Sequence, residues 1–194
     1  MDVQILLYDG FDELDAVGPY EVLANGLQHA DIDGTVRTVT CDEPGSVTAS
    51  HGLQIESDGR LATPDLLVVP GGGWTEPGPG ARAEYDDGRI PTRLAELPER
   101  TTVMTVCTGA MLAAKAGLFR ERATTHAVAR DNLAATGVNV ADARVVDDGV
   151  VSTAGVTAGL DGACYLVERE FGPAIRDEVL REMEYEARAD VLIA

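Results

Sequence analysis

Cys107 is the residue whose type and position best fit covalent chemistry. It follows residues 101–106, a β-branched and apolar run typical of a buried strand. Residues 109–115 are mostly good helix formers, and Gly117 suits the end of a helix. This change of preference predicts a sharp strand-to-helix turn that holds the thiol exposed. Because backbone N–H groups at a helix start favour a thiolate, the pattern predicts a reactive nucleophile.

The cysteine count leaves a second interpretation open. The chain has three cysteines, Cys41, Cys107 and Cys164, which lie far apart and form no CxxC pair. This spacing predicts neither a disulfide framework nor a zinc site, and we expect no bound metal. An odd number leaves room for one reactive thiol. Cys107 could equally be a small buried residue, which is the commoner fate of a free cysteine.

Size and charge exclude several classes of protein. The 194 residues suffice for one domain with a full core, so we predict a single domain over 1–194. The 33 acidic residues outnumber the 15 basic ones, and the net charge of −18 disfavours nucleic acid and anionic membranes as partners. The acidic residues are scattered through periodic segments. They resemble the acid-rich surfaces of proteins from salt-loving organisms, in which salt screens self-repulsion.

The start of the chain and its hydropathy indicate location. No apolar run reaches 18 residues, which argues against a membrane span. Residues 1–4 lack the basic start that precedes the apolar stretch of a secretory signal. We therefore expect a cytoplasmic protein.

Strands and helices are predicted to alternate along the chain. Apolar or alternating runs predict strands at 3–8, 35–41, 66–69 and 101–106, a hairpin at the sheet edge at 47–57, and a second hairpin at 144–152. Besides the helix after Cys107, apolar spacing predicts helices at 13–27, 87–100, 126–135, 157–171 and 173–187. Gly18-Pro19 is expected to bend or restart the first helix. The alternation predicts a mainly parallel sheet between helical layers.

A glycine-rich segment follows the strand at 66–69. It reads Pro70-Gly71-Gly72-Gly73, and glycines in that position let the backbone approach a ligand closely. The carboxyl ends of parallel strands are where α/β proteins place their sites. The pattern therefore predicts that this segment forms part of a binding site.

Several stretches together resemble the DJ-1/PfpI superfamily. They are residues 14–19, 21–23, 69–72, 106–110, 116–118, 123–126 and 154–161. The resemblance covers nearly the whole chain in order, and it implies a flavodoxin-like three-layer α/β sandwich with a nucleophile-elbow cysteine. Within the superfamily the chain is most similar to isocyanide hydratases and to the sensor domains of AraC-type regulators. It also implies a small-molecule substrate, a homodimer and no organic cofactor.

The resemblance implies roles for individual residues. Cys107 would be the nucleophile, and Asp15 would face its thiol. Repulsion from a thiolate raises the pKa of a carboxyl, and the protonated acid can then shuttle a proton. Backbone N–H groups of Gly72 and Thr108 would stabilise developing negative charge, and the Thr108 hydroxyl would hold substrate or water. Without the resemblance, Asp15 is best interpreted as an acid at a helix N-terminus and Thr108 as a local cap.

Two positions narrow the function. PfpI-type peptidases carry histidine directly after the nucleophile, where this chain has Thr108, so peptidase and triad amidotransferase activities lose support. His126 is expected to line the pocket as a hydrogen-bonded structural residue. The related proteins usually have tryptophan after this histidine, and Ala127 in its place leaves the pocket shape open.

The favoured function is hydration of an isocyanide to an N-substituted formamide. The Cys107 thiolate would attack the isocyanide carbon, Asp15 would supply a proton, and water would release the product. Two alternatives remain open: a sensor that oxidises Cys107 or binds a metabolite, and a glyoxalase-like enzyme acting on reactive aldehydes. A transcription factor is disfavoured by the acidic charge and by the lack of a helix-turn-helix after the last predicted helix.

Overall fold

The computed structural model describes residues 1–188 and 191–193. Its strands are β1 (Asp2–Leu6), β2 (Thr35–Thr40), β3 (Ser46–Thr48), β4 (Gln54–Glu56), β5 (Gly59–Arg60), β6 (Leu66–Val69), β7 (Thr102–Thr105), β8 (Arg122–Ala123), β9 (Asn139–Val140), β10 (Val145–Asp147), β11 (Val150–Thr153) and β12 (Val191–Ile193). Its helices are α1 (Glu13–His29), α2 (Ala81–Asp87), α3 (Arg89–Ala95), α4 (Gly109–Lys115), α5 (Arg130–Ala135), α6 (Ala158–Phe171) and α7 (Pro173–Glu182). A 3₁₀ turn, Ala127–Ala129, precedes α5.

The main sheet has the strand order β12-β10-β11-β7-β6-β1-β2-β5. All neighbouring strands from β11 to β5 are parallel, while β10 runs antiparallel to β11. Every residue of β6 is buried, as expected for a central strand covered on both faces. The prediction of a mainly parallel sheet is confirmed.

The helices form two packed groups. Helices α1, α6 and α7 contact one another, and α4 contacts α2, α3 and α5. This arrangement is the flavodoxin-like α/β fold that the sequence predicts. Among the described residues, no helix combines the length and the apolar character that crossing a membrane would require.

The first third of the chain differs from the predictions at two places. Helix α1 continues through Pro19, which excludes the predicted restart and leaves the bend as a prediction; packing of its buried face stabilises it, and Gly18, for example, lies against Leu160 of α6. The hairpin of β3 and β4 forms its own two-stranded sheet, and β5 takes the edge of the main sheet. The hairpin instead bonds to the loop after β1, where Gly10 N–H donates to Thr48 O and Ser50 N–H donates to Phe11 O.

Helix boundaries also differ from the predictions at two places. The helix predicted at 87–100 is shorter, since α3 ends at Ala95, and α2 precedes it across Gly88, whose φ is 86°. The last helix ends at Glu182 rather than at residue 187. The strands β5, β8, β9 and β12 were not predicted, because two or three residues are too few to show a period.

The sheet topology decides where a site can form. The chain passes from β1 to β2 on one side and later returns to β6 on the other side of β1. Such a reversal opens a crevice at the carboxyl ends of the strands. The segments that follow β1, β6 and β7 therefore meet at one edge of the sheet.

Candidate active site

Cys107 lies in the turn between β7 and α4 in an uncommon backbone conformation. Its φ is 55°, in the left-handed region that residues with a side chain seldom adopt. Its N–H donates to the carbonyl oxygens of Thr153 (3.2 Å) and Ala154 (2.9 Å). Its own carbonyl accepts a hydrogen bond from the Thr125 hydroxyl at 2.8 Å. These hydrogen bonds connect the turn to the end of β11 and to the segment after β8. They offset the energetic cost of the strained backbone conformation of Cys107.

The thiol of Cys107 is buried rather than exposed as predicted, and the residue is only 7% accessible. Burial raises the pKa of Cys107 to about 12, the nearby Asp15 raises it further, and hydrogen bonds from Thr108 act in the opposite direction. Burial of the sulfur therefore opposes the stabilisation of a thiolate by the N–H groups at the start of this seven-residue helix, and the thiolate stays a prediction.

Asp15 is in the first turn of α1 and is fully buried. Its Oδ2 accepts a hydrogen bond from the Gly71 N–H at 2.9 Å, while Oδ1 has no hydrogen-bond partner among the described residues. Burial raises the pKa of Asp15 to about 8, and the charge of Asp12 adds to this rise. The raised pKa was predicted, but its main cause is desolvation rather than repulsion from a thiolate.

The structure brings Asp15 and Cys107 together. Hydrogen bonding with the Cys107 thiol lowers the pKa of Asp15, and the charge of Asp15 raises the pKa of Cys107. A neutral thiol beside a carboxyl oxygen without another partner can pass its proton to that oxygen. The pair thus provides a nucleophile and an acid–base group in one buried place.

The Thr108 hydroxyl forms two hydrogen bonds with the glycine-rich segment after β6. It accepts a hydrogen bond from the Gly72 N–H at 2.9 Å and donates to the Gly72 carbonyl at 2.8 Å. In this structure the Gly72 N–H is therefore bonded to the Thr108 hydroxyl, and the roles predicted for both groups toward the substrate stay predictions. The backbone N–H of Thr108 instead bonds to the Cys107 sulfur and remains the donor for negative charge there.

Close backbone approach explains the glycines after β6. A Cβ atom at Gly71 would lie 2.6 Å from the Thr108 nitrogen and 2.9 Å from Asp15 Oδ2. A Cβ at Gly72 would lie 2.2 Å from the Gly10 carbonyl oxygen. The atoms that approach these glycines are the protein's own backbone and the Asp15 carboxyl, and close approach to a ligand stays a prediction.

A cavity of about 270 Å³, here called the thiol cavity, opens onto Cys107. Three of its lining residues are large and apolar: Trp74, Val128 and Val156. The polar side chains around it are those of Asp12, Ser50, Thr108 and His126. It combines an apolar wall with few polar groups, as small-molecule sites do.

Trp74 is a site residue that sequence reasoning missed. Its indole N–H donates to Asn132 Oδ1 at 2.9 Å, and its ring meets the ring of Tyr85 edge to face at 5.6 Å. These contacts fix the indole against the thiol cavity. Its place directly after Gly73 is the signal that could have identified it.

His126 lines the thiol cavity, as predicted. Its Nδ1 accepts a hydrogen bond from the Val128 N–H at 3.2 Å, which assigns the proton of the neutral ring to Nε2. The ring lies against Gly155, where a Cβ would come within 2.8 Å of His126 Cδ2. His126 is thus a hydrogen-bonded wall residue.

Three residues near the cavity, Asp12, Glu13 and His51, place possible metal-ligand atoms within 4.8 Å of one another. Their existing contacts account for this cluster. Glu13 pairs with His51 Nδ1 at 2.7 Å and accepts from the Ser50 hydroxyl at 3.2 Å. Asp12 caps α1 by accepting from the Leu14 N–H. The cluster gives no reason to assign a metal.

Comparison with known proteins is consistent with this geometry. A family model described as DJ-1/PfpI family matches residues 1–168. The chain is 33% identical over 190 residues to an isonitrile hydratase of Pseudomonas putida, covering 95% of this chain and 78% of the relative. It is 28% identical over 177 residues to a deglycase of Pyrococcus abyssi, covering 88% of this chain and 97% of the relative.

Solved structures show the same fold. A ThiJ/PfpI family protein from Pseudomonas syringae superposes with a TM-score of 0.80 at 26% identity, covering 96% of this chain and 76% of that one. An AraC family transcriptional regulator from Pseudomonas putida superposes with a TM-score of 0.76 at 19% identity, covering 94% of this chain and 98% of that one.

Proposed function

This chain belongs to the DJ-1/PfpI family, and we propose that it is a cysteine-dependent hydratase that converts an isocyanide to an N-substituted formamide. The observation that carries the proposal is the buried Cys107 thiol beside the buried Asp15 carboxyl, whose Oδ1 has no hydrogen-bond partner among the described residues. The 33% identity to an isonitrile hydratase supports it.

The first step forms a covalent intermediate. In the fraction of molecules in which Asp15 is ionised, the Cys107 sulfur bonds to the terminal carbon of the isocyanide, R–NC, while its proton passes to the Asp15 carboxylate. Asp15 then delivers that proton to the same carbon, which gives the thioimidate R–N=CH–S–Cys107. Asp15 must accept and donate in turn, and a carboxyl with a pKa of about 8 is present in both forms near neutral pH.

The second step releases the product. Water adds to the thioimidate carbon, so that its oxygen bonds to carbon and one proton reaches the nitrogen. The carbon–sulfur bond then breaks, the remaining hydroxyl proton returns through Asp15 to the sulfur, and R–NH–CHO leaves. The Thr108 N–H stabilises the negative charge that develops on sulfur as it departs.

The thiol cavity suggests the kind of substituent that the substrate carries next to the reacting group. Trp74, Val128 and Val156 present an apolar surface beside Cys107. An aryl or cyclohexyl group would bury apolar area there, and the isocyano group itself needs no charged partner. This apolar wall favours isocyanides over small polar aldehydes.

We also propose that the protein is a homodimer, as its family membership suggests. Helix α1 exposes three large apolar side chains, Leu14, Val17 and Tyr20, each between 37% and 40% accessible. A second copy would cover apolar surface of this kind. The cytoplasmic location stays a prediction.

The test is formamide production from cyclohexyl isocyanide in high-salt buffer. We expect turnover by the wild-type protein, no turnover by Cys107→Ala, and unchanged turnover by Cys41→Ala, which removes a half-buried thiol elsewhere. Circular dichroism confirms that each variant is folded. A folded wild-type protein without turnover, or an active Cys107→Ala, would contradict the proposal.

Activity on reactive aldehydes is the second candidate. The identity to a deglycase favours it, and it would use the same Cys107 and Asp15. Turnover of glyoxal but not of isocyanides by the same preparations would select it. A sensor that oxidises Cys107 is the remaining alternative, and burial of the thiol, which raises its pKa, opposes the thiolate through which oxidation proceeds.

A further inference from the structure

A second cavity, of about 320 Å³, adjoins the thiol cavity and shares His126 as a wall. We call it the arginine cavity. Its walls include small residues, namely Ala127, Ala143, Ala154 and Gly155. Its charged lining residues are Arg130, Arg144 and Asp142. Arg130 pairs with the exposed Asp142, and Arg144 pairs with the buried Asp161, so a ligand carboxylate would have to take the place of Asp142.

Backbone hydrogen bonds connect Cys107 to Arg144, a lining residue of the arginine cavity. The Cys107 N–H donates to the Ala154 carbonyl at 2.9 Å, and the Ala154 N–H donates to the Arg144 carbonyl at 2.9 Å. Neighbouring strands are separated by about 4.8 Å, so these two steps place the Arg144 backbone roughly 10 Å from that of Cys107. A small ligand can bridge this distance.

The Arg144 guanidinium is fixed by hydrogen bonds from two of its three nitrogens. Its Nε and Nη2 donate to Asp161 Oδ2 at 2.8 and 2.5 Å. The Asp161 side chain is only 2% exposed, and its Oδ1 accepts from the Tyr185 hydroxyl and the Arg188 N–H. Nη1 of Arg144 makes no hydrogen bond within the part of the chain that the structure describes. Arg144 therefore offers a fixed N–H donor, while Asp161 balances its charge.

Arg130 supplies a charge that can change partners. Its Nη2 donates to the Ala141 carbonyl at 3.3 Å, and its Nη1 pairs with Asp142 at 2.9 Å. The Asp142 side chain is 92% exposed, and ion pairs exposed to this degree contribute little stability. A carboxylate on a ligand can replace Asp142 on Arg130.

We propose that the arginine cavity binds a carboxylate carried by the substrate. The reacting carbon would lie at Cys107, the substituent would pass His126, and the carboxylate would bond to Arg130 and Arg144. The inference rests on the proposed function for the reacting group, and it names the substrate class as isocyanides whose substituent ends in an acid. Carboxylate recognition itself rests on the cavity.

A binding measurement tests the inference without turnover. The Cys107→Ala protein is titrated with 4-formamidobenzoate and with its methyl ester at one ionic strength. Trp74, which lines the thiol cavity, is the only tryptophan in the chain, so its fluorescence reports occupancy. We expect the acid to bind at least tenfold more tightly than the ester. Arg130→Gln should remove this preference, and Arg60→Gln, at an exposed arginine paired with Glu43, should keep it.

Turnover separates this inference from the proposed function. With 4-isocyanobenzoate and its methyl ester, the wild-type protein should show the same preference for the acid in kcat/KM, and Arg130→Gln should lose it. Hydration of both substrates without preference, or a preference that survives Arg130→Gln, would overturn the carboxylate site and leave the hydratase standing. Selective binding of the acid without hydration of either isocyanide would support the site and refute the hydratase.

Discussion

The carboxyl group of Asp15 and the thiol of Cys107 form a buried pair, in which Asp15 Oδ2 is bonded to the Gly71 N–H and Oδ1 has no hydrogen-bond partner among the described residues. Burial raises the pKa of both groups, to about 8 for Asp15 and about 12 for Cys107. Burial thus opposes ionisation of both groups, and the proposed reaction starts from the fraction of molecules in which Asp15 is a carboxylate and Cys107 a thiol.

Asp15→Asn should lower kcat for isocyanide hydration by about 10²- to 10⁴-fold, since an amide cannot relay the proton between sulfur, carbon and water. Steady-state formamide production measures this effect. Glu21→Gln is a matched control, because it removes an exposed acid from the same helix. A full rate in Asp15→Asn would remove the carboxyl from the mechanism.

Asp15 should also make stability depend on pH. Its pKa is about 8 in the folded protein against 3.8 ordinarily, so between pH 4 and 8 the unfolded chain loses this proton while the folded protein keeps it. The free energy of unfolding therefore falls as pH rises through this window, by about 1.36 kcal/mol per unit and on the order of 5 kcal/mol in all.

The comparison of wild type with Asp15→Asn isolates this effect. Urea unfolding at a series of pH values should show the variant as the more stable protein at pH 8, with the difference shrinking toward pH 4. Identical pH slopes for the two proteins would show that Asp15 is not protonated in the folded state.

Gly71→Ala should destabilise the protein by about 1–3 kcal/mol and abolish turnover, because the added Cβ overlaps the Thr108 backbone and the Asp15 carboxyl. Gly45→Ala is the control, since no atom lies within 4 Å of its Cβ position and its φ is not in the left-handed region. Urea unfolding and turnover are measured for both. Equal stability of the two variants would mean that the segment after β6 can relax.

Thr125→Val should lower kcat about tenfold with little change in KM, because it removes the hydroxyl that holds the Cys107 carbonyl in its left-handed turn. The lost hydrogen bond should also reduce stability by about 1 kcal/mol. Thr125→Ser should restore kcat. Thr92→Val, which removes a similar hydroxyl-to-carbonyl bond in α3, should leave kcat unchanged. A kcat that Thr125→Ser does not rescue would assign the effect to packing.

Much of the fold could be predicted because its elements carry local patterns. The apolar run of β6 and the hairpin turn between β10 and β11 are each recognisable from residues that follow one another in the sequence. The segment to which the hairpin of β3 and β4 bonds could not be predicted in the same way. Its partners Gly10 and Phe11 belong to a distant segment, and only the folded chain brings them together.

By itself the sequence determined the family and the order of the elements, and it predicted Cys107 as the nucleophile from its position in the strand-to-helix turn; Asp15 was predicted only through the resemblance to the family. Only the tertiary structure decided the direction of the pKa shifts of Cys107 and Asp15 and the hydrogen-bond partners of Gly72 and Thr108. A pKa depends on how much water the surrounding chain excludes, and a hydrogen bond depends on which partner is nearest. Both are set by segments far apart in the sequence, so burial raises the pKa of Cys107 where a thiolate was expected, and the Gly72 N–H is bonded where a free donor was expected.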